Sequence, residues 1–148
     1  MRANGRGKNT AMTEAFVLDS YAVLALLRKE PGGEEVARLL RLGQEGKATV
    51  LMSWVNAGEV VYIVQRRWGK SRAYQALATL EAAGVQMVLV EREATLLAAN
   101  IKAEHPLAYA DAFAAALALD TGAILVTGDP EFRVLEEIVS IHWLAQET

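Results

Sequence analysis

Hydrophobic residues fall along this chain in two alternating rhythms, short continuous runs and longer stretches with helical spacing. The first run, AFVLD, reads as a strand ending on Asp19, and it passes directly into the helical segment SYAVLALLRKE, which Pro31, Gly32 and Gly33 stop. EEVARLLRLGQEG follows as an amphipathic helix, with Val36, Leu39, Leu40 and Gly43 at helical spacing and Gly46 closing it. ATVLMS is a second strand. Its last residue, Ser53, suits the N-cap of the helix WVNAGEVVYIVQRRW, and Gly69 divides that helix from KSRAYQALATLEAAG. VQMVLV is a third strand, and EREATLLAANIKAEH a helix that Pro106 terminates. A nearly all-apolar helix over 108–120, the strand AILVT, a helical turn around PEFRVLEE and a last strand, VSIHWL, complete the pattern. The alternation, with Ala-rich helices suited to burial, predicts an α/β fold: one domain over residues 14–148 with a largely parallel central sheet flanked by helices.

Residues 1–13 break this pattern. They are polar, carry Arg2, Arg6 and Lys8 among Gly5 and Gly7, and show no periodicity, so a disordered tail is expected there. At 148 residues the chain has room for one real core. It has no cysteine, which excludes disulfide staples, thiol catalysis and cysteine-based zinc sites. No apolar run approaches the roughly 20 residues that span a bilayer, and the N-terminus lacks a signal-peptide core, so a cytoplasmic protein is expected. The net charge of −3 argues against attachment to nucleic acid through a large overall positive field. It leaves room for an enzyme whose acids gather at one centre and whose bases lie elsewhere.

Four acids interrupt the apolar pattern. Asp19 stands between two apolar runs, Glu59 lies in WVNAGEVVYIV, Asp111 comes directly before the run Ala112–Leu119, and Asp129 follows AILVTG. Burying a carboxylate is costly unless something compensates it. In open parallel sheets, function collects beyond the C-terminal ends of the strands; Asp19 and Asp129 fall at such ends, Glu59 in the first two turns of a helix leaving one, and Asp111 in the first turn of a helix entered from the loop around Pro106. Taken singly, each has an ordinary explanation as a first-turn acid, a cap or a turn residue. Taken together they lack cations: no Lys or Arg occurs in 15–27, 54–64 or 107–132. Clustered carboxylates without basic partners, and without His or Cys ligands, suit Mg2+ or Mn2+. His105 and His142 are far apart with no nucleophile pattern and read as structural or surface residues. Neither a P-loop nor a dinucleotide-binding glycine motif is present.

The stretches VLDSYAVLALL, NAGE, YADAFAAALA and LVTGDPEF, in this order, resemble the PIN domain, and within it the VapC-type toxins of toxin–antitoxin pairs. The resemblance runs from about Phe16 to Leu144. It implies a ribonuclease that uses Mg2+ or Mn2+, with an acidic quartet at Asp19, Glu59, Asp111 and Asp129. It also implies supporting polar residues at Ser20, Thr127 and Asn56, and products with 5′-phosphate and 3′-hydroxyl ends. On this basis Asp19, Glu59 and Asp111 are expected to hold the tightest metal, and Asp129 a second metal or the attacking water. Tyr21 departs from the family pattern, which has a small or polar residue there. The resemblance further implies a small antitoxin protein as partner, and a homodimer.

QRRWGKSR, residues 65–72, concentrates Arg66, Arg67, Lys70 and Arg72 around Trp68 and is a candidate RNA grip. The alternative is a solvated helix end with basic residues at the negative pole of its dipole. Three functional readings follow: a toxin ribonuclease, an RNA-processing PIN nuclease without an antitoxin, and a non-catalytic PIN module used for interaction. A retired site has no physical reason to keep mutually repelling acids, which sets the third apart from the other two.

Overall fold

The short apolar runs and helical stretches become five strands and six helices in a computed structural model that describes residues 13–146. The chain runs β1 (Glu14–Leu18), α1 (Ser20–Arg28), α2 (Gly33–Gln44), β2 (Ala48–Ser53), α3 (Trp54–Trp68), α4 (Lys70–Ala82) and β3 (Gln86–Val88). It continues through α5 (Arg92–Glu104), α6 (Tyr109–Thr121), β4 (Ile124–Thr127), a 3-10 turn (Pro130–Leu135) and β5 (Ile141–Trp143). Apart from Thr13, the segment expected to be a disordered tail lies outside the described residues.

All strand pairs are parallel and the sheet order is β3-β2-β1-β4-β5. Successive side chains of a strand point to opposite faces, and both faces are covered. Phe16, Leu18, Val50, Met52 and Val126 enter one core with Val23, Val36, Leu39, Val60 and Leu80 from α1 to α4. Val17 and Leu125 enter the other, with Ala98 and Ile101 of α5, the buried face of α6, and Phe132 and Leu135 of the 3-10 turn. Every residue from Ala112 to Ala118 is buried, because α6 packs against β1, β2, β4, α3 and α5 at once. A helix enclosed on all sides must be apolar all round, and alanine lets its neighbours approach closely.

Two strands are shorter than their apolar runs. β3 ends at Val88, which pairs with Ser53, the last residue of β2 and the N-cap of α3. Beyond that point no neighbouring strand remains, and Leu89 turns out to 71% exposure. β5 likewise stops at Trp143 because its partner β4 ends at Thr127. Helix α1 also ends early, at Arg28: Lys29 adopts a left-handed conformation and Glu30 N–H donates to the Ala25 carbonyl. There α2 begins so close to α1 that a methyl on Gly33 would lie 2.6 Å from the Ala25 carbonyl oxygen, which only glycine avoids.

Candidate metal centre

The sheet order places β1 between β2 and β4, so the direction of winding reverses beside β1. Ligands of open α/β sheets bind at such a switch point, beyond the strand C-termini. Asp19 directly follows β1 and Asp129 follows β4 by two residues, which puts both at that edge.

Asp19 is 1% exposed and serves as the N-cap of α1. Its Oδ1 accepts from Ala22 N–H at 2.8 Å and its Oδ2 from Thr127 Oγ1 at 2.5 Å. Thr127, itself buried, also accepts from the Asp129 N–H at 3.0 Å. One hydroxyl therefore fixes both strand-end acids. Asp129 caps the 3-10 turn by accepting from Glu131 N–H at 2.9 Å. The capping explanation thus holds for Asp19 and Asp129, and it holds alongside their placement in the cluster.

Glu59 lies on α3, where Ser20 Oγ makes a short hydrogen bond to its Oε1. The same hydroxyl lies 3.3 Å from the Asn56 carbonyl, and Asn56 Nδ2 donates to the Ala110 carbonyl at 3.0 Å. Asn56, fully buried, so links α3 to the residue before Asp111, and through Ser20 to the start of α1. Its Oδ1 is buried without a partner among the described residues.

Asp111 is in the first turn of α6, whose N-cap residue, Ala108, offers no capping side chain. Glu131 reaches across from the 3-10 turn instead: its Oε1 accepts from Ala108 N–H at 3.4 Å. Asp111, Asp129 and Glu131 each bring a carboxylate oxygen within 4.8 Å of the others. Sequence reasoning missed Glu131. The only signal for it was its position two residues after Asp129 in a segment without cations, and an exposed acid in a turn resembles any solvated charge.

The electrostatics follow from burial and crowding. The Asp19 carboxyl is pushed up to about 7, chiefly by burial, with Asp111 and Asp129 adding to the rise, against the opposing hydrogen bonds from Thr127 and Ala22. Asp111 is also pushed up to about 7, by burial and then by the charges of Asp129, Glu59 and Glu131. Asp111 thus feels three of the other acids, and its own charge adds to the rise at Asp19. None of the five acids forms an ion pair with Lys or Arg among the described residues. A set of hard oxygen donors uncompensated by cations fits a divalent ion of the Mg2+ or Mn2+ type.

Arg66, Arg67, Trp68, Lys70 and Arg72 lie elsewhere, around the junction of α3 and α4. Trp68 stands at the end of the helix that carries Glu59, about 14 Å further along it. His142 lies in β5, with its Nε2 2.9 Å from Glu35 of α2, a structural link away from the acids.

Tyr21 packs its ring over the loop that joins Thr127 to Asp129. A methyl on Gly128 would lie 2.8 Å from Tyr21 Cζ and 3.0 Å from Gln146 Nε2, and Gln146 Nε2 donates to the Gly128 carbonyl. The departure at Tyr21 is therefore matched by a glycine opposite it.

The family model for the PIN domain matches residues 16–138. No curated protein sequence matches the chain significantly. Among solved structures, the chain is similar to VapBC2 from Rickettsia felis bound to a promoter DNA fragment, with TM-score 0.70 and 15% identity over 88% of this chain and 99% of that one. It is similar to DNA-bound VapBC from Salmonella typhimurium, with TM-score 0.66 and 18% identity over 88% and 98%. It is also similar to VapC20 of Mycobacterium tuberculosis, described as a sarcin-ricin loop cleaving toxin, with TM-score 0.63 and 21% identity over 80% and 93%. At these identities the likeness is one of fold. With the family model covering most of the chain and the acids gathered at the switch point of a five-stranded parallel sheet, this protein belongs to the PIN domain family.

Proposed function

We propose that the chain is a Mg2+- or Mn2+-dependent endoribonuclease and the toxin of a VapBC-type toxin–antitoxin pair. The observation that carries the catalytic reading is the gathering of Asp19, Glu59, Asp111, Asp129 and Glu131 at one sheet edge without a basic partner among the described residues. A divalent ion held by these carboxylates would supply a water of lowered pKa and offset charge on the leaving oxygen of the phosphodiester. The chain's own contribution is to hold the acids ready. Thr127 orients Asp19 and the Asp129 loop, Ser20 orients Glu59, and Asn56 anchors the start of the helix that carries Asp111. Asp19, Glu59 and Asp111 are the proposed ligands of the first ion. Asp129, with Glu131 beside it, serves a second ion or the attacking water.

The antitoxin part of the reading draws support from the similar structures, two of which are VapBC complexes by description. No helix among the described residues is long and apolar enough to cross a membrane, in keeping with action on RNA in the cytoplasm, and the working unit is proposed to be a homodimer. Purified protein is to be incubated with RNA in Mg2+, Mn2+ or chelator and the fragment ends mapped. Metal-dependent cuts with 5′-phosphate and 3′-hydroxyl ends are expected, and full activity in chelator would overturn the metal reading. Co-purification from the native operon should yield a stable complex of low activity, whereas a chain that always purifies alone and active points to an RNA-processing nuclease.

A further inference from the structure

The corner where α3 meets α4 carries charge that its local structure explains only in part. Between Glu59 and Glu81 the chain has no acid, and Arg66, Arg67, Lys70 and Arg72 all fall in that interval. None of the four is ion-paired among the described residues. Arg66 and Arg67 occupy the last turn of α3, where the helix dipole favours cations. Lys70 and Arg72 occupy the first turn of α4, where it opposes them, and no acid in that turn offsets the cost.

The same corner exposes aromatic rings. Tyr62, Trp68 and Tyr74 are 49%, 44% and 51% exposed. Each has a cation over its ring: Arg66 at 5.6 Å from Tyr62, Arg67 at 5.4 Å from Trp68 and Lys70 at 5.9 Å from Tyr74. In a chain of net charge −3, four uncompensated cations interleaved with three exposed rings make a local positive field with flat apolar platforms.

We infer that the α3–α4 corner is a binding surface for single-stranded RNA, separate from the acid cluster. The identity of its ligand rests on the nuclease reading. Cations matched to phosphates would attract the backbone, and the exposed rings would stack unpaired bases, which a duplex keeps stacked within itself. The surface also answers an electrostatic difficulty, since a cleft of five carboxylates repels the polyanion it is to cut. Holding one stretch of RNA about 14 Å along α3 from Glu59 raises the local concentration of a neighbouring stretch at the acids.

The test measures binding of a labelled single-stranded RNA of mixed sequence by fluorescence anisotropy, in Mg2+ and at several salt concentrations. Full-length Asp111→Asn protein is used so that the RNA remains intact. Adding Arg66→Gln, Arg67→Gln, Lys70→Gln and Arg72→Gln together is expected to weaken binding about tenfold or more and to flatten the salt dependence by about 0.7 in log–log slope for each phosphate no longer neutralised. Trp68→Leu is expected to weaken binding with the slope unchanged, and duplex RNA to compete poorly. If the fourfold variant does not fold, as judged by circular dichroism, the pairs Arg66/Arg67 and Lys70/Arg72 are replaced separately. Unchanged affinity and slope would overturn the inference, as would a variant that keeps RNA binding but loses a co-expressed protein partner, which would assign the corner to that partner. Cleavage by the otherwise unsubstituted chain is scored separately. Cleavage by that chain with no effect at the corner removes this inference alone, and absence of cleavage in Mg2+ or Mn2+ removes the nuclease reading alone.

Discussion

Thr127 Oγ1 donates to Asp19 Oδ2 at 2.5 Å, joining residues 108 positions apart at the ends of the two strands between which the sheet reverses its winding. The same oxygen accepts from the Asp129 N–H, so the geometry of two acids depends on one buried hydroxyl. Thr127→Val keeps the shape and removes the bond. It is expected to cost about 1–3 kcal/mol, since a buried carboxylate oxygen and a backbone N–H lose their partner, and to lower the cleavage rate. Thr127→Ser should restore most of both. Denaturant unfolding and initial-rate measurements on the two variants check this, and a fully active, equally stable Thr127→Val protein would contradict it.

Metal-free stability should fall as pH rises. Asp19 and Asp111 titrate near 7 in the folded chain and have ordinary values of 3.8. Below the ordinary value both states are protonated and the fold carries no penalty. Between that value and about 7 the unfolded chain ionises while the folded one resists, so stability declines across this window and levels off above it. Calorimetric melts in chelator from about pH 4 to about pH 8 should show a Tm that drops through the window. A Tm that rises there would mean these carboxyls are stabilised as anions by a partner.

Asp111→Asn removes, at nearly constant shape, a charge that Asp129, Glu59 and Glu131 oppose and that itself pushes up Asp19. Cleavage is expected to be abolished, and metal-free stability at neutral pH to be unchanged or higher by about 1 kcal/mol. Mg2+ should then raise the Tm of the original protein more than that of the variant, because a ligand stabilises only the state it binds. A destabilised but active variant would instead assign Asp111 to capping α6.

Glu131→Gln keeps an acceptor for Ala108 N–H and deletes a charge beside Asp111 and Asp129. The metal concentration for half-maximal cleavage should rise severalfold with little change in the melting temperature of the metal-free protein. An unchanged metal requirement would place Glu131 outside the ligand set and leave it as a cap for α6.

Gly128 and Tyr21 form a matched pair, and Gly128→Ala should be disruptive on its own because the added methyl would lie 2.8 Å from Tyr21 Cζ. Removing the ring in Tyr21→Ala should recover part of the loss. A double variant no more stable than Gly128→Ala alone would show that the conflict is with Gln146 or the backbone.

The alternation of strand and helix, the positions of the acids at strand ends and the enclosed character of α6 were legible in the sequence, because each is a local matter of hydrophobic period or of a charge set in an apolar run. Ser53 could be read as a cap for the same reason. Strand lengths at the sheet edges were not legible: Leu89 and Leu144 continue apolar runs, but a strand extends only as far as its neighbour does, and β2 and β4 end first. The order of the strands brings Asp19 and Asp129 together across more than a hundred residues, and that pairing depends on long-range contacts no local pattern encodes. Glu131 joined the cluster for the same reason, as an exposed turn acid whose place beside Asp111 is set by where α6 begins. Sequence alone thus determined which residues are costly to bury, and the tertiary structure decided which of them share that cost at one site.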